Sequence, residues 1–106
     1  FNEDCREVWK VPAAPDAMHQ PFVSSVPTLL ISGTFDTLTS LAGAKAAAAK
    51  LSNATIISIP GIGHFVSPWS PCAQAVIVSF LADPAAPDTS CVGALKPPSF
   101  TSAASP

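Results

Sequence analysis

Two short runs of consecutive apolar and β-branched residues, 28–31 and 55–59, bracket an alanine-rich segment, and that order leaves the chain few ways to fold. Neither run alternates polar with apolar residues, so neither suits a strand with one wet face. Each reads instead as a strand covered on both faces, as in a parallel sheet. Pro27 precedes the first run and Ser32 with Gly33 ends it; Pro60 with Gly61 ends the second. Between them, residues 38–51 place Leu41, Ala44, Ala48 and Leu51 at helical spacing, with Lys45 and Lys50 on the other side. Strand, helix and strand make a βαβ crossover, so the strands are expected to be parallel and the connection right-handed. A second helix is expected over residues 71–81, with Pro71 in its first turn and Ala73, Val76, Ile77, Phe80 and Leu81 as its apolar stripe.

The rest of the chain carries less order. Residues 1–27 contain Pro12, Pro15, Pro21 and Pro27 and no sustained period, which predicts an irregular lead-in with a short helix around residues 4–9. His19 in this stretch reads as a surface residue. Residues 28–95 form the α/β portion, in βαβα order. From Pro87 onward no period is visible; residues 96–106 are a tail, frayed over 101–106. Two parallel strands with apolar faces need neighbours on at least one side, and no third strand is evident. The expectation is the C-terminal end of a larger α/β sheet, and a start at Phe1 without a leader pattern fits a processed piece.

In open α/β sheets, functional groups sit in loops after the carboxyl ends of strands. Gly33 to Asp36 follows the first strand, and Gly61, Ile62, Gly63 and His64 follow the second. A carboxylate and an imidazole are thereby carried by equivalent loops of strands ~4.8 Å apart. A carboxylate bonded to one ring nitrogen fixes the tautomer and stabilises the imidazolium, leaving the other nitrogen as a base for a hydroxyl nucleophile. Taken singly, Asp36 is explained as a helix cap and His64 as an ordinary loop histidine. Taken together, in loops of the form Gly-x-x-Asp and Gly-x-Gly-His, they favour catalysis.

Those residues carry a family resemblance. Residues 26–39 are similar to the segment bearing the catalytic acid of α/β-hydrolases, and residues 56–64 to the segment bearing their histidine. The ending, from Cys72 to Cys91, resembles the C-terminal region of the secreted tripeptidyl-aminopeptidase-like (TAP-like) branch, and the likeness covers roughly residues 5–100. The resemblance implies the C-terminal βαβα portion of an α/β-hydrolase fold, in which the chain order is nucleophilic Ser, then acid, then His. Asp36 would be the triad acid and His64 the base, in a peptidase cleaving short peptides from the N-terminus or an esterase. The chain departs from the family at Ser40, where proline is usual, and at Phe65, where a small residue is usual. It holds no Gly-x-Ser-x-Gly elbow and no oxyanion loop of the HGGG kind. The nucleophile is therefore expected outside this chain, on an N-terminal part of the same hydrolase or a companion chain. The rival expectation is a non-catalytic binding or assembly module derived from the same fold.

Cys5, Cys72 and Cys91 are the cysteines, without the short spacings of a zinc site, and neither metal nor cofactor is expected. The turn-rich stretch before Cys91 can bring it back to Cys72, closing a loop of about 20 residues worth roughly 3 kcal/mol; the alternative is three reduced, buried cysteines. A bridge implies an oxidising compartment, hence a secreted or periplasmic protein. The resemblance gives Cys5 a partner in the N-terminal part. Charged residues are 11% of the chain, against a norm of roughly 25%, and the net charge is -2. That leaves no footprint for nucleic acid, and no apolar run approaches the ~18 residues of a membrane span. It also leaves few charges to block an exposed sheet edge, so self-association is expected there.

Overall fold

The lead-in contains two ordered pieces, helix α1 (Asn2–Glu7) and a 3₁₀ turn over Asp16–His19. The chain leaves α1 through Lys10, whose φ of 52° is left-handed, while the Val11 amide donates to the Cys5 carbonyl at 2.9 Å. The helix therefore ends earlier than expected from the sequence. Residues 2–100 are described by the computed structural model, apart from the side chains of Asn2 and His19. The expectations for His19 and for residues 101–106 lie outside the described residues.

Strands β1 (Thr28–Gly33) and β2 (Ala54–Ile59) pair in parallel, from Thr28 opposite Ala54 to Gly33 opposite Ile59. Ser24 adds an isolated parallel bridge to Leu51, which ties the end of the lead-in to the sheet. Between the strands lies α2 (Leu41–Ala48), with Leu41, Ala44 and Ala48 half-buried and Lys45 exposed. It begins later than the helical spacing predicted. Asp36 Oδ1 accepts the amides of Leu38 and Thr39, both at 2.8 Å, so these residues belong to a turn. Ser40 then caps the helix, its hydroxyl accepting the Gly43 amide at 3.2 Å.

After β2 the chain forms a single helical turn, α3 (Val66–Trp69), which the sequence reading missed, and then α4 (Pro71–Ala82). Ser70 caps α4 through the Ala73 amide at 3.1 Å, with Pro71 in the first turn as expected. The core is thin: Ile57 and Ile59 of β2 meet Val66, Ala73 and Val76. Of the expected stripe, Ala73 and Val76 are fully buried and Ile77 and Phe80 half-buried, while Leu81 is exposed.

The stretch after Pro87, read as coil from the sequence, contains a 3₁₀ turn over Ser90–Ala94. Asp88 starts it by accepting the Ser90 amide at 2.9 Å, and its own amide donates to Ser79 of α4 at 2.7 Å. Cys91 is thereby delivered to Cys72, and the two form a disulfide; Cys5 is not in one. Val92 and Leu95 pack on the core beside β2, and Pro98 stands over Gly61. Replacing Cys72 and Cys91 with serine should lower unfolding stability by roughly 3 kcal/mol. Denaturant unfolding of both proteins measures this, and coincident midpoints would show that the cross-link adds nothing.

The C-terminal segment thus covers the β2 side of the sheet. Nothing among the described residues covers the outer edge of β1. Grooves open on either side of it, one bounded by Ile77, Phe80 and Leu81 of α4, the other by Gly43, Ala44 and Ala47 of α2. The radius of gyration is 18.2 Å, against about 13 Å for a compact domain of this length. The accessible surface is 8036 Å², where a compact protein of 10.8 kDa exposes about 5,500 Å². Among the described residues, no helix is long and apolar enough to cross a membrane.

Candidate active site

The loops that follow β1 and β2 are stitched together by backbone bonds. Thr34 donates to Ile59 at 3.0 Å and Phe35 to Ile62 at 3.0 Å, while the Gly61 amide donates to the Thr34 hydroxyl at 2.8 Å. This approach depends on glycine. A methyl group at Gly33 would lie inside the carbonyl oxygens of Ile62 and Gly63, which are backbone atoms with little freedom to retreat. Gly61 turns the second loop at a φ of 74°, a conformation most residues avoid.

Asp36 and His64 meet across this seam, His64 Nδ1 lying 3.1 Å from Asp36 Oδ2. Their environments differ: the Asp36 side chain is 3% exposed and the His64 side chain 41%. Buried carboxylates need partners, and Asp36 has them on both oxygens. Oδ1 takes the Leu38 and Thr39 amides, and Oδ2 takes the Thr39 hydroxyl at 2.7 Å as well as His64. The Thr39 hydroxyl also lies 3.1 Å from His64 Nδ1. The carboxyl is held well below the usual carboxylate range, first by the Thr39 hydroxyl and the Thr39 amide. Burial opposes them, and the Leu38 amide and His64 add to the lowering. Because the folded-state value is depressed, stability from these bonds is present above the unfolded value of about 4. It is lost progressively as the pH falls below that value toward the lower folded-state one.

Asp36 is not the cap of α2, which is Ser40; one of its oxygens orders the turn before that helix and the other meets the imidazole. A carboxylate fixed by four bonds and facing a half-open imidazole can keep that ring in one tautomer and stabilise its protonated form. The ring is also met edge-on by Phe65, centroids 5.3 Å apart and planes at 73°. Phe65 itself is 70% exposed and lines the groove between β1 and α4 beside His64. Ser32, the serine nearest the acid loop, is 2% exposed inside β1, its hydroxyl turned to the Gly33 and Thr39 carbonyls at 3.5 Å. Its contacts are structural. Thr39 was not singled out from the sequence; its position three residues after Asp36, reach enough for a turn, is the signal that was there to use. Among the described residues, no group of three His, Cys, Asp or Glu side chains is placed to hold a metal ion.

Comparison with known families finds one match, over residues 2–92, to the family described as TAP-like protein. No curated protein and no solved structure matches the chain.

Proposed function

Since the chain belongs to the TAP-like family of α/β-hydrolases, we propose that it supplies the acid and the base of a serine hydrolase whose nucleophile lies outside these 106 residues. The observation that carries this reading is the Asp36–His64 contact at 3.1 Å between loops of neighbouring parallel strands. With Nδ1 bonded to the carboxylate, Nε2 takes the proton of the serine hydroxyl as the oxygen attacks the substrate carbonyl. It returns that proton to the leaving amine or alcohol, and water then releases the acyl group by the same route. Asp36 stays ionised throughout. The family points to short peptides cleaved at the N-terminus as substrates, with esters as the second class; that step is analogy.

The part bearing the nucleophile docks, in this proposal, along β1. The C-terminal segment occupies the β2 side, while the β1 edge carries unpaired backbone groups between two apolar grooves. Residues 28–95 are the portion that completes the hydrolase domain, with residues 1–27 as lead-in and 96–106 as tail. The Cys72–Cys91 bridge favours a secreted or periplasmic enzyme.

A fluorophosphonate probe tests the reading on the complete protein from its source. Peptide mapping should place the label on a serine outside residues 1–106, and His64→Ala should abolish labelling. Label on a serine within the chain would refute the location of the nucleophile. An unlabelled, well-folded protein would favour the non-catalytic module.

A further inference from the structure

Thr39 closes a triangle with the two groups already described: 2.7 Å to Asp36 Oδ2 and 3.1 Å to His64 Nδ1, which is itself 3.1 Å from Oδ2. A hydroxyl has one proton and two lone pairs. The shortest side, to a carboxylate, takes that proton, since charge-assisted O–H···O bonds are the short, strong ones. The lone pairs of Oγ1 then face Nδ1. If Nδ1 were bare, it would confront acceptors on both sides. If the hydroxyl proton turned to Nδ1 instead, the carboxylate would confront two lone pairs. All three contacts are attractive in one arrangement only, with the imidazole proton on Nδ1 shared between Oδ2 and Oγ1. In the neutral ring that leaves Nε2 bare.

We propose that Thr39 is a positioning residue that, together with Asp36, holds His64 in the tautomer whose Nε2 accepts a proton; this rests on the hydrolase reading given above. The ring needs the second contact because its side chain is 41% exposed and the neighbouring Phe65 meets it only edge-on. The hydroxyl is well placed to provide it. The Thr39 amide is pinned to Asp36 Oδ1 at 2.8 Å, the next residue caps α2, and a β-branched side chain has few rotamers to escape into. The titratable side chain that faces Asp36 across the seam is His64, so loss of the hydroxyl is read directly on this pair.

The test uses the complete enzyme with Thr39→Val, which keeps the shape and removes the hydroxyl, and Thr39→Ser, which keeps the hydroxyl. Thr39→Val should lower kcat by about 10- to 100-fold, the equivalent of one hydrogen bond to a charged group. KM should stay unchanged, and Thr39→Ser should recover most of the loss. In ¹⁵N spectra of the imidazole, the Nδ1–H tautomer should dominate in the parent and in Thr39→Ser and give way to a mixture in Thr39→Val. The midpoint for Asp36 in ¹³C carboxyl spectra should rise in Thr39→Val. If His64→Ala inactivates the enzyme while Thr39→Val changes neither kcat nor the tautomer, the positioning role is wrong and the hydrolase reading stands. If His64→Ala leaves turnover intact, the hydrolase reading itself fails.

Discussion

His64→Ala in the complete hydrolase is expected to lower kcat by about 10⁴-fold or more while KM changes little. In the proposed mechanism the base is used only as the serine attacks and the leaving group departs, so its loss would be felt in the transition state and not in substrate binding. Asp36→Asn should cost a similar factor, about 10⁴-fold, for a different reason. An amide in place of the carboxylate would offer Nδ1 a donor and remove the charge that stabilises the imidazolium. It would also disturb the acceptor of the Leu38 and Thr39 amides, so a melting curve must accompany the kinetics. Steady-state turnover of a short peptide amide and of an ester measures all of this. Retention of more than a tenth of the parent kcat by both variants, each folded, would remove Asp36 and His64 from the chemistry. The 106-residue chain alone should turn over neither substrate.

The second large effect concerns assembly. The isolated chain is expected to associate with itself, and the same chain joined to the nucleophile-bearing part is expected to be compact. The surface of 8036 Å² exceeds that of a compact protein of its mass by about 2,500 Å². A surplus of that size on one partner is what large obligate interfaces bury. Part of it lies on the lead-in, where Trp9, Met18 and Phe22 are exposed, and part at β1, where Leu29, Leu30 and Ile31 are half-buried. Light scattering across a concentration series should show the isolated chain gaining mass. Leu30→Lys, placing a charge on that strand, should suppress the gain and, in the complete protein, weaken docking of the two parts. A monodisperse monomer with a radius of gyration near 13 Å would overturn the argument, because a chain of this length at that size has closed its own surface.

The meeting of Asp36 and His64 was legible in the sequence because each follows a short apolar run that reads as a strand of a parallel sheet. The parallel pairing of those strands places their loops side by side, and glycines at 33, 61 and 63 mark where backbones come close. The cysteine pair was legible as a possibility, from turn residues ahead of Cys91. The family match spans these segments and the lead-in, residues 2–92. Ser40, a departure from the family at a position where proline is usual, proves to be the cap of α2, so the substitution exchanges one way of starting a helix for another.

What the sequence determined by itself is what local chemistry decides. Runs of β-branched residues make strands, alanine at helical spacing makes α2, and Ser70 with Pro71 starts α4 where the apolar stripe begins. The tertiary structure decided whatever depends on bonds between distant residues. Helix α2 starts at Leu41 because a carboxylate also held by His64 captures the amides of Leu38 and Thr39. Thr39 joins the site because folding brings His64, 25 residues away, within 3.1 Å of its hydroxyl. Leu81, placed on the apolar stripe by its spacing, is exposed because the end of α4 faces the open side of β1. Spacing along a chain records which side chains share a face. It does not record what stands beside the element that carries it, and along the outer edge of β1 no strand pairs among the described residues.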